Sequence, residues 1–435
     1  MRISTSMMYG LGIASVQQHQ QDLLRLQQQI SSGRRVLTPS DDPVAAATAF
    51  DLKQSQAINN QYYKNGDSAK SQLALGEGAL ADATTLLQDV KTLAVYAGNA
   101  ALTNADRAIL AVELQSRYDE LLAIANRGNG NGQYLFSGYQ GATQPFAETR
   151  PGTVAYAGDE GQRLIQIGPS RTIPISDSGD AVFRAIKNGN GVFAAAPDAT
   201  NAGGGVISPG TVTNPANWNA AANPRDFTIK FHVDSSVAPP RTTYDIVDNV
   251  NNVSLLSGVA PGAGPYLRAY TPGAAINLKT QSPPDTNPVA FDFGAMVTID
   301  GAPADGDTFA VTASVNHDVF ATVHDLITAL QGGLGPGVAS AAAYQNALNA
   351  SMLGVDNALD KVLSVRAEVG ARLKEVDAGQ GASEDLSLQY DNRLSGLQDL
   401  DYAKAISDLS LRQTQLEAAQ KSYLTITSLS LFKLL

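Results

Sequence analysis

Two His-Asp pairs contain the residue types best suited to metal or acid–base chemistry. His317-Asp318 and His324-Asp325 lie seven residues apart, so a helix would place both pairs on one face. Neither pair has a further histidine or a carboxylate pair at the spacing of a metal site. A solvated helix face explains this pattern, so the pairs predict neither a metal centre nor a catalytic site.

Three other stretches have the residue types of a ligand site, and each has a simpler explanation. Residues 300–307 carry three aspartates around a turn, but they lack the calcium-loop spacing and its final glutamate. Residues 128–132 are rich in glycine, but they lead into a predicted strand rather than the helix that a phosphate-binding loop requires. Asp41-Asp42 looks like a carboxylate pair, yet Asp42 can cap the following helix and Asp41 adds favourable charge there. A role of this pair in subunit contacts is the functional alternative.

Composition excludes several classes of function. The 435 residues include no cysteine, which rules out disulfides, thiolate metal sites and cysteine nucleophiles. The net charge of −11 leaves no basic patch for nucleic acid or an anionic membrane. No apolar run has the length of a signal-peptide core or a membrane span. We therefore expect a protein that is not an enzyme, holds no cofactor and does not insert into a membrane, and that is either cytosolic or exported without a cleaved signal peptide.

Residues 30–50 predict a sharp break between two helices. Gly33 can end the first helix, because glycine adopts a left-handed cap without steric cost. Pro39 forces its neighbour out of helical geometry. Asp42 is the expected N-cap of the second helix, with Pro43 at its first position. We interpret these four residues as a hinge between helical layers.

Both ends of the chain carry weak helical stripes. Within residues 1–32, apolar side chains recur at coiled-coil spacing on an otherwise glutamine-rich helix. A final helix over about residues 401–429 has a similar stripe. Such narrow stripes do not stabilise a lone helix in water, so each end needs a partner. The predicted assembly contacts are Val16, Leu23, Leu26 and Ile30 in the first segment, Ile406, Leu409, Leu416 and Tyr423 in the last helix, and Leu431 and Phe432 in the apolar terminus.

Stronger helical patterns lie inside these ends. A second helix is predicted over residues 43–98, and Thr103-Asn104 can cap a third. The most regular heptad pattern covers residues 348–376, with Arg366 as its single charged intruder. The Gly-Gln-Gly sequence at residues 379–381 is expected to break that helix.

The middle of the chain has a different pattern. Residues 133–315 are rich in Gly, Pro, Thr, Asn and Val, with short alternating runs separated by turn residues. Within them, the Pro/Gly/Asn-rich residues 197–224 are interpreted as a long surface loop. Helix returns over residues 319–331. The alternation predicts one or two antiparallel β domains.

The predicted fold class is mainly α: a helical bundle or coiled coil built from both termini, with an inserted antiparallel β domain, in an α+β multidomain protein. The expected domains are residues 1–40 plus 398–435 (inner terminal helices), 41–150 plus 332–397 (outer helical bundle) and 151–331 (β-rich insert, possibly as two subdomains). Two unrelated helical domains on either side of a β domain are the alternative.

The helical ends resemble the bacterial flagellin superfamily. The motifs that carry the resemblance are residues 30–33 (Ile-Ser-Ser-Gly), 38–46 (Thr-Pro-Ser-Asp-Asp-Pro-Val-Ala-Ala), 132–138 (Gly-Gln-Tyr-Leu-Phe-Ser-Gly), 400–406 and 429–435. The resemblance covers about residues 1–150 and 340–435. Flagellins typically lack the proline after the aspartate pair and the Tyr-Leu-Phe-Ser-Gly turn. These two features favour the hook–filament junction branch of the superfamily.

The resemblance implies a structural component of the bacterial flagellum, used in motility. It would sit outside the cell at the hook–filament junction, join the hook-side adaptor to the filament and template filament growth. The implied partners are further copies of the chain in a helical ring, the first hook-associated protein, flagellin, an export chaperone and the flagellar type III export apparatus. A flagellin filament subunit is the alternative, and a secreted protein that binds through its β insert is a further one.

Overall fold

The structure is a computed structural model that describes residues 5–261 and 264–428. The helices are α1 (Thr5–Ser32), α2 (Pro43–Ala97), α3 (Asn104–Ala125), α4 (Pro215–Trp218), α5 (Val319–Gly332), α6 (Val338–Gln398) and α7 (Tyr402–Ser428), with one π-helical turn at Asp180–Arg184. The strands are β1 (Phe146–Arg150), β2 (Thr153–Tyr156), β3 (Leu164–Gly168), β4 (Arg171–Pro174), β5 (Phe193–Pro197), β6 (Val206–Ile207), β7 (Thr211–Val212), β8 (Asp226–Asp234), β9 (Arg241–Asp248), β10 (Val253–Ser254), β11 (Arg268–Ala269), β12 (Ala275–Lys279), β13 (Asp292–Asp300) and β14 (Thr308–Ala313). Helices at both ends and antiparallel strands in the middle confirm the predicted fold class.

The described residues form two compact units. The first consists of residues 5–67, 166–171 and 376–428, and the second of residues 68–165, 172–261 and 264–375. The boundaries lie inside α2 and α6, and they differ from the expected positions near 40 and 398. The three-domain division stays a prediction.

The expected helix break at residues 379–381 is wrong, because α6 continues through all three residues. Gln380 donates through Nε2 to Asp67 Oδ1 at 2.7 Å. A β-carbon added at Gly379 would lie 3.4 Å from Ile167 Cδ1, so the small residue lets strand β3 approach the helix. Glycine costs up to about 1 kcal/mol in a helix interior, and these contacts within the first unit offset that cost.

In the second unit, the predicted heptad of α2 forms a dry seam. Leu73, Leu80, Leu87, Ala94 and their companions Ala83, Val90 and Ala97 are all at most 2% exposed. The facing pattern on α6 is buried at Leu348, Val355, Leu359, Val362 and Val369. The charged residue Arg366 in this seam is paired with Glu77, whose Oε1 lies 2.6 Å from Arg366 Nη2.

Thr103 caps α3 as predicted, in a capping box with Asp106. Among the described helices, none is both long and apolar enough to cross a membrane.

Two antiparallel sheets share the core of the β insert. One has the order β10-β9-β8-β14-β5, with β11 also paired to β9, and the other has the order β12-β13-β6, with β7 also paired to β13. Strand β8 alternates buried and half-buried residues, which places Phe227, Ile229 and Phe231 in the core. The strands β1–β2 and β3–β4 form separate two-stranded sheets.

Residues 197–224 do not form the expected surface loop. They contain β6, β7 and α4, and both strands pair with β13. Trp218 of α4 is 2% exposed and its ring centroid lies 5.1 Å from that of Phe193. Elements of two to four residues are too short to show periodicity, which is why the sequence pattern did not reveal them.

Candidate assembly site on the terminal helices

Helices α1 and α7 pack against each other in antiparallel orientation. Three pairs of residues fix the register: Gly12 with the ring of Tyr423, Asp22 with Arg412, and Gly33 with the hydroxyl of Tyr402. Arg412 Nη1 donates to Asp22 Oδ2 at 3.1 Å. A β-carbon added at Gly12 would come within 2.8 Å of the Tyr423 ring. The helices therefore approach closely where a glycine faces an aromatic side chain.

The seam between α1 and α7 is only partly closed. Seven predicted contact residues on it are half-buried, namely Val16, Leu23, Leu26, Ile30, Leu409, Leu416 and Tyr423. Among the side chains described on these two helices, only Ala405 is buried. Apolar area that stays in water contributes nothing to folding, so this pair is much less stabilised than the leucine seam of the second unit.

Ile406 lies off this seam and is 55% exposed. The expectation that it shares one stripe with Leu409 and Leu416 is wrong, because the neighbouring Ala405 takes the contact position. One residue along a helix is a rotation of about 100°, which turns Ile406 outward. Its part in contacts between subunits stays a prediction, and Leu431 and Phe432 lie outside the described residues.

Two buried polar atoms on this pair have no hydrogen-bond partner among the described residues, His19 Nδ1 and Gln415 Oε1. The Asp22–Arg412 ion pair sets a register that brings His19 and Gln415 to about the same level. An unpartnered buried polar group costs about 1–3 kcal/mol. These two groups therefore weaken the pair further, a feature that the apolar stripe alone did not reveal.

Large apolar side chains also point away from the seam. Leu11 and Leu24 on α1 are 61% and 58% exposed, and Leu411 on α7 is 54% exposed. An apolar groove of about 310 Å³ lies near the end of the pair, lined by Ile13, Val16, Gln17, Gln420, Tyr423 and Leu424. A single apolar stripe on each helix does not include these outward-facing leucines.

The linker after α1 and the linker before α7 run side by side. Arg35 N donates to Gln398 O at 2.7 Å, and Leu400 N donates to Gly33 O at 3.0 Å. Gly33 has a φ of 69°, which suits glycine, and it follows the last residue of α1. The two linkers therefore form one joint held by backbone hydrogen bonds.

Asp41 organises the linker after α1. Its Oδ2 accepts hydrogen bonds from the backbone N–H groups of Leu37 and Thr38, both at 2.9 Å. Its Oδ1 lies 2.6 Å from Arg25 Nη2 on α1. The Thr38 amide is the main cause that lowers the pKa of Asp41 below its ordinary value. Pro39 is exposed within this turn.

Asp42 occupies the start of α2, whose first residue is Pro43. Its Oδ1 accepts a hydrogen bond from Ala45 N at 3.0 Å, and this bond is the main cause that lowers the pKa of Asp42. Its Oδ2 lies 3.3 Å from Arg35 Nη1. The carboxylate thus connects the first turn of α2 to the linker, while the action of this stretch as a hinge stays a prediction.

A second weak seam joins the parts of α2 and α6 that belong to the first unit. Asn59 Nδ2 donates to Ser383 O at 2.7 Å in a buried position, and Gln56 Nε2 donates to Asp391 Oδ1 at 2.7 Å. Polar side chains take positions here that leucine and valine hold in the second unit. These segments were expected to belong to the strong outer bundle, and the heptad pattern gave no signal of the change from apolar to polar contacts within each helix.

The His-Asp pairs do not share one helix face, so that expectation is wrong. Asp318 is the N-cap of α5 and accepts a hydrogen bond from Ala321 N at 2.6 Å, which leaves His317 before the helix. His317 Nε2 instead lies 3.3 Å from Asp325 Oδ2, and this contact raises the pKa of His317. Both residues line a cleft of about 520 Å³ in the second unit. No group of three metal-ligating side chains occurs in the part of the chain that the structure describes.

The aspartates of residues 300–307 have a structural role at Asp307. This carboxylate is 3% exposed and accepts hydrogen bonds from the backbone N–H groups of Ala202, Gly203 and Ala304, at 2.8, 3.0 and 2.8 Å. Backbone amides therefore fill the lone pairs that a cation would need.

Known proteins match the N-terminal region and the whole length of the chain. Residues 3–141 match the family model of the bacterial flagellin N-terminal helical region. The chain is 28% identical over 434 residues to flagellar hook-associated protein 3 of Escherichia coli K12, which covers 100% of this chain and 99% of that protein. The crystal structure of flagellar hook-associated protein 3 from Legionella pneumophila is 30% identical, with a TM-score of 0.69 over 80% of this chain and 98% of that one.

The similarity to filament subunits covers a shorter part of the chain. A flagellin of Clostridium tyrobutyricum is 31% identical over 140 residues, which are 32% of this chain and 37% of the flagellin. The hook-associated proteins instead align over nearly their full lengths, and the solved structure shares the fold over 80% of this chain. By its full-length sequence match and by its likeness to the 30% identical solved structure, the chain belongs to the flagellar hook-associated protein 3 family.

Proposed function

We propose that this protein is the structural component of the bacterial flagellum that joins the hook side to the flagellin filament. The observation that carries the proposal is the match over the whole chain to hook-associated protein 3, together with a 30% identical flagellar junction protein from Legionella pneumophila. The relatives are structural proteins, and we propose that this chain likewise has no enzymatic activity.

The physical basis of assembly is the incomplete α1–α7 pair. Its seam is half-buried, it holds two unpartnered polar atoms, and it exposes Leu11, Leu24 and Leu411. Neighbouring copies in a helical ring would bury this surface through heterologous contacts. Val16, Leu23, Leu26, Ile30, Leu409, Leu416 and Tyr423 would stabilise each helix pair, while Ile406, Leu431 and Phe432 would contact neighbours.

The remaining partners follow from this position. The ring would contact the first hook-associated protein on one side and flagellin on the other, and would template filament growth. An export chaperone would cover the apolar C-terminus before passage through the flagellar type III apparatus, without cleavage of a signal peptide. The weak terminal pair supports this route, because helices that gain most of their burial on assembly are easily unfolded for export.

Deletion of the gene tests the proposal. We expect intact hooks, no filaments and flagellin released unpolymerised into the medium, measured by electron microscopy and by immunoblotting of the supernatant. Normal filaments in the deletion strain would rule out the junction function.

Complementation of that strain tests the assembly surface. Leu23→Asp or Leu416→Asp should fail to restore filaments, because each places a charge on a surface that becomes buried. The matched control is Gln20→Asp, an exposed position on α1, which should restore them. Equal rescue by Leu23→Asp and Gln20→Asp would show that the seam is not needed for assembly.

A further inference from the structure

The sequence contains five Asn-Gly pairs, at residues 65–66, 129–130, 131–132, 188–189 and 190–191. Such pairs share one spontaneous reaction, in which the backbone nitrogen of the glycine attacks the side-chain carbonyl carbon of the asparagine. Glycine favours the attack because it has no β-carbon and permits unusual backbone angles. A folded chain slows the reaction wherever hydrogen bonds hold the asparagine side chain away from that nitrogen.

Asn65 and Asn129 are held in this way. Asn65 lies inside α2, accepts a hydrogen bond from Gln61 Nε2 at 2.9 Å and donates to Gln166 O at 2.7 Å. Asn129 Oδ1 accepts from the backbone N–H groups of Asn131 at 2.9 Å and Gln133 at 3.3 Å. Rotation of either side chain into the attack geometry would break at least two hydrogen bonds.

Asn188 and Asn190 are held by the β insert. Asn188 Oδ1 accepts from Val315 N at 2.9 Å. Asn190 Oδ1 accepts from Val192 N and Phe193 N at 3.1 and 2.9 Å, and its Nδ2 donates to Gly210 O at 3.2 Å. Both asparagines therefore maintain turns that the reaction would have to open.

Asn131 differs from the other four. It is exposed, and its side chain has no hydrogen-bond partner among the described residues. The backbone nitrogen of Gly132 likewise donates to no described acceptor, and Gly132 has a φ of 76° with open space around its α-carbon. The attacking atom and the carbonyl that it attacks are both unrestrained.

We propose that Asn131 is a spontaneous deamidation site of the folded protein, modified in preference to the other four Asn-Gly pairs. The Gly132 nitrogen forms a bond to Asn131 Cγ, the Cγ–Nδ2 bond breaks, and ammonia leaves as a succinimide forms. Water then adds to one of the two imide carbonyl carbons and yields either aspartate or isoaspartate at position 131. No oxidant, cofactor or enzyme is needed.

Modification alters the turn that holds Asn131. Asn129 N donates to Gln133 O at 2.8 Å across this turn, and Gly128 pairs with Tyr134 in a β bridge. Isoaspartate inserts one extra main-chain carbon between residues 131 and 132 and adds a negative charge. The cross-turn hydrogen bonds should therefore weaken in the modified molecules, while the rest of the second unit stays folded.

Incubation of the full-length protein at mildly alkaline pH tests the proposal, with peptide mass spectrometry over time to locate each amide-to-acid conversion. We expect position 131 to convert at least about tenfold faster than the other four, a difference of ~1.4 kcal/mol in activation free energy. In urea the five rates should converge, because the protecting hydrogen bonds are lost. Faster conversion at any of the other four pairs in the folded protein would overturn the proposal, as would the same preference for position 131 in urea.

Asn131→Gln provides the matched variant, because the same attack on glutamine requires a larger ring. This exposed substitution should leave the fold intact and should remove the acidic species that isoelectric focusing detects in the aged wild-type protein. Accumulation of that species at the wild-type rate in Asn131→Gln would contradict the assignment.

Discussion

Apolar residues of the same type contribute different amounts to folding stability in the two units. Leu87 of α2 is fully buried in the dry seam of the second unit, whereas Leu23 of α1 is half-buried against α7. The free energy that each residue contributes to the monomer follows the area that it removes from water. Leucine therefore stabilises the monomer in the second unit. In the first unit much of its apolar surface stays in water until another surface covers it.

Leu87→Ala should reduce the free energy of unfolding of the second unit by about 2–5 kcal/mol, because it leaves a cavity in a closed seam. Urea unfolding followed by circular dichroism measures the change. The control in the same unit is Val112→Ala, at a residue that is 70% exposed, which should change stability by no more than about 0.5 kcal/mol. Equal effects of the two substitutions would contradict the closed seam.

The stability of the linker after α1 depends on the pH through the carboxylate of Asp42. The hydrogen bond from Ala45 N holds the pKa of Asp42 below that of an unfolded aspartate, about 3.9. A lowered pKa in the folded state adds stability above that pH, and the contribution disappears as the pH falls through the lowered value. The protection of the Ala45 amide against hydrogen exchange, measured relative to its intrinsic exchange rate at each pH, should therefore fall in that acid range. Asn at position 42 (Asp42→Asn) keeps an acceptor without the charge and should remove the pH dependence; if it persists, another group is responsible.

Elements differ in how far the sequence could predict them. The long heptads of α2 and α6, the capping box of Thr103 and the start of α2 after Asp42 were predictable, because the decisive groups lie within a few residues of one another. The continuity of α6 through residues 379–381 was not, since it depends on contacts with Asp67 and Ile167. Local propensity is a weak signal when distant residues pack on the same element.

The assembly site was predicted in outline and not in its detail. Stripe spacing identified Leu23 and Leu416, but it placed Ile406 on the seam in place of the smaller Ala405.

In the β insert, Arg268 and Asp285 form a buried ion pair at 2.7 Å, although seventeen positions separate them in the sequence. No short-range pattern links such residues, so only the fold reveals them.

Close packing of α1 on α7 predicts opposite effects for two glycines on one helix. Gly12→Ala should loosen the pair, because the added carbon would approach the Tyr423 ring to 2.8 Å. Gly10→Ala has no heavy atom within 4 Å of the added carbon and should stabilise α1 by roughly 0.5–1 kcal/mol through helix propensity. Hydrogen exchange of the α1 amides should be faster in the first variant and slower in the second. Slower exchange in both would mean that the helices are farther apart.

Removal of the terminal helices tests the independence of the second unit. Deletion of residues 1–32 or of residues 401–435 should lower the helical circular dichroism signal by no more than the helices that the deletion removes or unpairs. The urea midpoint of the second unit should stay unchanged, because its seam through Leu87, Val355 and Val362 is closed on its own. A large drop in that midpoint would show that the ends stabilise the monomer core.

The whole molecule combines one unit with a well-buried core and one unit whose apolar surface is only partly buried. The second unit contains the leucine seam, the fully buried aromatic side chains and the β core, and the first has polar seams and exposed leucines. A net charge of −11 favours solubility of the monomer in spite of those leucines. This division suits a subunit that is folded before assembly over most of its length and completes its burial only among neighbours.

The location of the protein in the flagellum tests the central proposal most directly. Immunogold electron microscopy with antibodies against the β insert measures it in wild-type cells, and the deletion strain controls for specificity. A short labelled zone between the hook and the filament is the result that a junction protein predicts. Gold particles along the entire filament would contradict it and identify a filament subunit instead.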